Sequence, residues 1–231
     1  MAKLVLAVPR RFAAKEELIR LLGEGDADLY LFPEGFLRNE DELSLALELS
    51  GQIEGTIITG CQRGGRELAL ILEGGRVADQ YAKCVLTAGE REKGKRPGER
   101  IRCLNTQWGR LAVPICYELH FPEVCRIMAL EAPVLMVNII GTGMYHRLQY
   151  EQWRALARAR AIENETPVAG CCHFCGEIPL AFAFGGDGEP LLEKAGVRGA
   201  FSVEVDLGPQ RPIGYFADRR PELFVPLCKE E

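Results

Sequence analysis

The sequence predicts an α/β protein built around β-sheet, and three observations carry the prediction. Strand signals alternate with helix signals along all 231 residues. Several strand signals, Lys3–Val8 and Val134–Ile140 among them, are apolar at almost every position, so helices covering sheet faces are the simplest way to bury them. No composition break, Ser/Pro-rich linker or internal repeat divides the chain, so a single domain spanning 1–231 is expected.

The elements follow in order. Lys3–Val8 and Asp28–Phe32 read as buried strands, and Ala14–Leu22 between them as an amphipathic helix. Glu40–Leu49 reads as a second helix, with Asn39 placed to cap it and acidic residues in its first turn. Strands are expected at Thr56–Thr59, Leu68–Leu72, Val77–Lys83 and Arg110–Ile115. A helix near Pro122–Leu130 has its proline where a missing N–H does no harm. A buried strand at Val134–Ile140 and a long helix near Tyr150–Glu163 come next. Strands return at Val168–Cys172, Leu180–Phe184 and Phe201–Val205, with Gly185-Gly186-Asp187-Gly188 as hairpin turn chemistry.

Composition narrows the function. Lys and Arg number 28 against 33 Asp and Glu, a net charge of −5, which argues against nonspecific binding to nucleic acid or anionic lipid. The longest apolar runs, Ala132–Ile140 and Pro179–Phe184, fall well short of the ~20 residues of a membrane span. The first nine residues read as a strand, not a signal peptide, and nine scattered cysteines suit a reducing cytosol. Cytoplasmic location and no membrane association are the expectations.

Three segments each deliver a reactive group from an apolar strand. In Leu29-Tyr30-Leu31-Phe32-Pro33-Glu34, the proline ends the ladder and leaves Glu34 as a partly desolvated carboxylate, suited to general-base work. In Gln80-Tyr81-Ala82-Lys83, the ammonium of Lys83 lies among apolar residues and needs a partner. In Leu111-Ala112-Val113-Pro114-Ile115-Cys116-Tyr117-Glu118-Leu119-His120-Phe121-Pro122-Glu123, a buried strand runs into Cys116 and turns at once into a helix. That is nucleophile-elbow geometry with sulfur for oxygen, and a helix start there favours the thiolate.

Together the three segments resemble the nitrilase superfamily of carbon–nitrogen hydrolases, marked by a Glu–Lys–Cys triad in this chain order. Glu34, Lys83 and Cys116 are the matching residues. Arg160-Ala161-Ile162-Glu163-Asn164, Gly186-Asp187-Gly188-Glu189 and Arg219-Arg220-Pro221-Glu222-Leu223-Phe224 resemble further family segments, so the likeness runs over nearly the whole chain. The resemblance implies a four-layer αββα sandwich, a homodimer or larger homo-oligomer, and no metal or organic cofactor. It implies hydrolysis of a small non-peptide amide or carbamoyl compound through a cysteine thioester. Glu34 would be the general base, and Lys83 with the backbone N–H of Tyr117 would hold the oxyanion. An accessory glutamate that orients substrate is expected at Glu90, with Glu92 as its competitor. Gly141–Arg147 should help to line the pocket, with Tyr145 and His146 as candidates. The sequence departs from the family pattern in having Val85 two positions after the lysine, where a histidine is common. Its spacing of 49 positions from Glu34 to Lys83 is short.

Other readings remain beside this one. A catalytically idle binding or scaffold protein, nitrile hydrolysis, and acyl transfer by the same triad are alternatives. Cys171-Cys172-His173-Phe174-Cys175 lacks a second Cys/His pair at zinc-ligand spacing and resembles a core strand beside the site. A papain-like protease would leave Glu34 and Lys83 without a role, and the local signature around such a cysteine is missing. The basic run within Glu90–Arg102 is a solvated loop face or an entrance that attracts anions.

Overall fold

The computed structural model describes residues 1–23, 26–208 and 213–228. Twelve strands are described: β1 (Ala2–Val8), β2 (Leu29–Leu31), β3 (Thr56–Arg63), β4 (Arg66–Glu73), β5 (Arg76–Ala82), β6 (Leu104–Thr106), β7 (Gly109–Ala112), β8 (Leu135–Ile140), β9 (Val168–Cys172), β10 (Leu180–Phe184), β11 (Pro190–Ala195) and β12 (Gly199–Val205). The α-helices are α1 (Ala14–Gly23), α2 (Glu40–Ser50), α3 (Ala88–Glu92), α4 (Pro122–Ala129) and α5 (Arg147–Asn164). The strands form two six-stranded sheets, ordered β12-β1-β2-β3-β4-β5 and β11-β10-β9-β8-β7-β6.

The apolar runs are explained by what lies on each side of a strand. Along β1, Leu4, Leu6 and Val8 join a core cluster shared with Val137, Ile139 and Phe182 of the second sheet. The alternate residues Val5 and Ala7 join a separate cluster with Leu18 and Leu21 of α1 and Leu43 and Ala46 of α2. The period-2 side-chain alternation thus sends one set to the facing sheet and the other to the helices. Helices α4 and α5 cover the second sheet through contacts with β7, β9 and β10. The result is a four-layer α-β-β-α sandwich. Leu4, Leu6, Leu18 and Leu21 are fully buried, each worth about 2 kcal/mol against exposure.

Local chemistry sets the ends of the elements. Asn39 caps α2, its Oδ1 accepting from the Glu42 N–H at 2.9 Å. Strand β5 stops at Ala82, so Lys83 leaves the ladder one residue before the end read from the sequence. Strand β7 stops at Ala112, ahead of a proline that has no N–H to donate, and Ile115 makes only an isolated bridge to Ile139. The Gly185–Gly188 turn leads into β11, which the sequence does not announce: it is an exposed edge strand that opens with a proline and shows no alternation of apolar and polar residues. Strand β6 is too short to show a period, and α3 is a five-residue helix inside the basic loop. No helix among the described residues is long and apolar enough to cross a membrane.

Candidate active site

Glu34, Lys83 and Cys116 come from two sheets and meet in one cleft of about 480 Å³. Glu34 follows β2, where Phe32 N–H still bonds the Ile58 carbonyl at 2.8 Å and Pro33, with no N–H to donate, only accepts from the Gly60 N–H at 3.1 Å. Gly60 of β3 crosses directly beneath; a methyl group there would lie 2.4 Å from the Glu34 Cα. Lys83 is tied by its backbone, its N–H to the Glu67 carbonyl at 3.0 Å and its carbonyl to the Gly98 N–H at 2.7 Å. Its side chain is 1% exposed and donates to Glu34 Oε1 at 2.8 Å and to Glu90 Oε1 at 2.7 Å.

Burial alone would lower the Lys83 pKa, but the Glu34 carboxylate, the nearby Cys116 sulfur and the hydrogen bonds to Glu34 and Glu90 hold it above its ordinary value. It is a cation throughout the neutral range. Glu90 shows the converse: burial would raise its pKa, yet the Lys83 bond and charge, with Thr87, hold it below the usual carboxylate value. Thr87 and Glu90 form a capping box on α3, the Glu90 Oε2 accepting from the Thr87 N–H at 2.7 Å. One oxygen of Glu90 therefore fixes its helix and the other its lysine. Glu92, the competing candidate, is exposed.

Cys116 starts a five-residue 3₁₀ helix, Cys116–His120, with φ +47°, a left-handed conformation rare for a residue with a side chain. Neighbours enforce it. Asn138 on β8 donates to the Pro114 carbonyl at 2.8 Å and to the Cys116 carbonyl at 3.3 Å. Glu118, fully buried, accepts through Oε2 from the Ile115 N–H at 2.8 Å. Its Oε1 accepts from the Tyr81 hydroxyl at 2.8 Å, the Cys84 N–H at 2.7 Å and the Val85 N–H at 3.1 Å. This carboxylate, absent from the sequence-based site, fastens the Lys83 loop to the Cys116 turn.

The thiol differs from expectation in its resting state. Burial pushes the Cys116 pKa well up, and the Glu34 carboxylate, to which the thiol donates, pushes the same way. Lys83 and the Gly141 N–H oppose this without overcoming it. A 3₁₀ turn of five residues supplies little dipole, so the helix start does not win against desolvation. The sulfur rests as a thiol and must lose its proton in the act of attack.

Tyr145 and His146, expected at the pocket, lie outside the cleft lining. His146 caps α5, its Nδ1 accepting from the Gln149 N–H at 3.1 Å, and Tyr145 is exposed, its hydroxyl accepting from Thr142 Oγ1 at 3.1 Å. Gly141 and Thr142 of the same loop do line the cleft. Tyr117 presents its ring to His120 and Phe121 outside the lining, leaving only its backbone relevant to Cys116.

Further cleft residues were not read from the sequence. Glu67 at the start of β4 is buried, bonded through Oε1 to Gln62 at 3.0 Å and to Lys95. Burial raises its pKa against the pull of Lys95. Its signal was a carboxylate next to an apolar run. His173, directly after β9, donates from Nε2 to the Glu34 carbonyl at 3.0 Å and so props the base from behind. Cys171 and Cys172 are buried within β9.

A sandwich of this topology, with a buried carboxylate and ammonium and a half-buried thiol around one cleft, defines a class of nucleophile-bearing α/β proteins. The model of the carbon–nitrogen hydrolase family matches residues 59–197, more than half of the chain, and the protein belongs to that family. A probable nitrilase of Schizosaccharomyces pombe is 31% identical over 168 residues, which make up 67% of this chain and 59% of that relative. The chain thus spans less than two thirds of that relative's length. Among solved structures, a carbon–nitrogen hydrolase from Helicobacter pylori G27 superposes with a TM-score of 0.85, covering 98% of each chain at 19% identity. A glutamate-to-glutamine mutant of the amidase from Nesterenkonia sp. AN1, bearing the acetamide moiety of fluoroacetamide on its active-site cysteine, superposes with a TM-score of 0.79 at 22% identity. It covers 97% of this chain and 95% of its own. At these identities the two structures share the fold.

Proposed function

We propose that the protein hydrolyses a C–N bond, other than a peptide bond, in a small amide or carbamoyl compound. Glu34 takes the Cys116 proton as sulfur attacks the carbonyl carbon. Lys83 and the Tyr117 N–H stabilise the oxyanion, and Glu34 returns the proton to the departing amine or ammonia. Water, deprotonated by Glu34, then attacks the thioester and releases the acid and the thiol. Glu90 holds Lys83 in line. The reading rests above all on one observation: the Lys83 ammonium bridges Glu34 and Glu90 at 2.8 and 2.7 Å, within the cleft where the Cys116 thiol meets Glu34. The acetamide adduct on the cysteine of the Nesterenkonia amidase is consistent with it.

The test is intact-mass labelling with iodoacetamide. Cys116 should be modified faster than the other eight thiols, and the fast phase should vanish in Cys116→Ala. A Cys116 no more reactive than the rest would favour an idle binding protein. Turnover of an amide and carbamoyl panel then separates the two substrate classes, because carbamoyl compounds release carbon dioxide as well as ammonia. We further read residues 1–231 as one hydrolase domain forming a homodimer in the cytoplasm. All nine cysteines are unpaired thiols, the state that a reducing compartment maintains. Sedimentation velocity at twice the monomer mass is the expected result.

A further inference from the structure

The basic loop does not form the cationic wall of the cleft by itself. Of its six cations only Lys93 and Lys95 line the cavity. Lys95 is engaged by Glu67, Arg102 by Asp79, and Arg96 by the Gly64 carbonyl. The remaining charge comes from loops after β1 and β2, as Arg11 and Arg38. Including Lys83, five cations face three carboxylates in the cleft of a protein whose net charge is −5.

Arg11 and Arg38 are held as a pair. Both rest against Phe12, the Arg11 guanidinium 5.0 Å and the Arg38 guanidinium 4.9 Å from its ring centroid. Phe12 adopts φ +68°, an outlier for an aromatic residue, and is 66% exposed at the cleft. Arg38 donates to Glu42 at 2.7 Å, yet its buried Nε has no hydrogen-bond partner. Arg11 and Lys93 have no carboxylate partner among the described residues. The charges of Arg11 and Arg38 also reach His173, which lines the same cavity. A strained aromatic that aligns two guanidiniums, with donors to spare, beside a nucleophile calls for a planar anion.

We infer that the substrate carries a carboxylate besides its scissile amide or carbamoyl group, and that Arg11 and Arg38, braced by Phe12, bind that carboxylate. The inference rests on the reaction proposed above. It assigns Arg11 and Arg38 the role of specificity determinants, with Lys93 adding longer-range attraction.

Two chloroacetamides test it: N-chloroacetyl-β-alanine and its neutral analogue, N-propyl chloroacetamide. Their rates of Cys116 alkylation, followed by intact mass, give a ratio that needs no turnover. The wild type should favour the carboxylate probe by about tenfold or more, the scale of a charge-assisted hydrogen bond. The ratio should collapse in Arg11→Gln and in Arg38→Gln, recover in part in Arg11→Lys, and stay unchanged in Arg100→Gln, a loop cation outside the cleft. Arg11 is exposed, so its replacement leaves the core intact and decides the matter even if Arg38→Gln is destabilised. Equal rates for the two probes, or a preference that survives Arg11→Gln with Arg38→Gln, overturn the inference while the triad reading stands. If iodoacetamide shows no selectivity for Cys116, the triad reading falls and takes this inference with it.

Discussion

In the proposed reaction Glu34 carries two demands at once, accepting from Lys83 and receiving the Cys116 proton, and only a carboxylate meets both. Glu34→Gln should slow Cys116 alkylation by about 100-fold or more, the usual worth of a placed general base, without lowering the unfolding midpoint much. Glu118 acts differently, because it does not line the cleft. Glu118→Ala strips partners from the N–H groups of Cys84, Val85 and Ile115, at a cost of about 3 kcal/mol or more in urea unfolding, with Glu118→Gln milder. That Glu34, Lys83 and Cys116 meet was legible in the sequence because each follows closely on a strand signal, in the chain order of the resemblance. Glu118 was not, since nothing in the order of residues shows a side chain reaching back over thirty positions to Cys84. His173 supplies a pH signature. Burial lowers its pKa from 6.5 to about 4; the bond to the Glu34 carbonyl opposes this, and Arg11 and Arg38 add to it. A depressed histidine contributes stability that is present above about pH 6.5 and lost as pH falls toward 4. Between pH 7 and pH 5 the loss attributable to His173 is about 2 kcal/mol, and His173→Gln should remove that part of the slope.

At the scale of elements, close passage of backbone matters more than propensity. A methyl group on Gly141, just after β8, would stand 2.4 Å from Glu34 Oε2. The carboxylate is the flexible party, so Gly141→Ala should displace it and abolish fast Cys116 labelling while costing under about 1 kcal/mol of stability. A loss of stability as large as the loss of reactivity would refute that account. Buried strands and amphipathic helices were readable because their periods report burial directly. The strands that escaped notice lack such a period: β6 has three residues, and β11 is an exposed edge that follows a glycine-rich turn and shows no alternation. Helix α3 was hidden in a run of charge, although Thr87 and Glu90 stand at capping-box spacing. The Arg11–Phe12–Arg38 arrangement joins two distant loops and has no sequence signature at all.

For the molecule as a whole, the decisive fact is that the cleft belongs to neither sheet alone. Glu34 and Lys83 follow strands of one sheet, Cys116 and His173 strands of the other. Enhanced Cys116 reactivity and far-ultraviolet ellipticity should therefore disappear in the same urea transition. Reactivity lost well before the ellipticity would mean that the sheets separate while each keeps its structure. The pairing of β1 with β12, from Ala2 against Val205 to Val8 against Gly199, has a consequence for biosynthesis. Strand β1 is synthesised long before β12, and until β12 arrives one side of β1 is not hydrogen-bonded and offers an open template to any passing chain. Contacts so distant in sequence form slowly. A nascent chain stalled before Gly199 therefore keeps that side of β1 open, and the hazard ends only when β12 closes it.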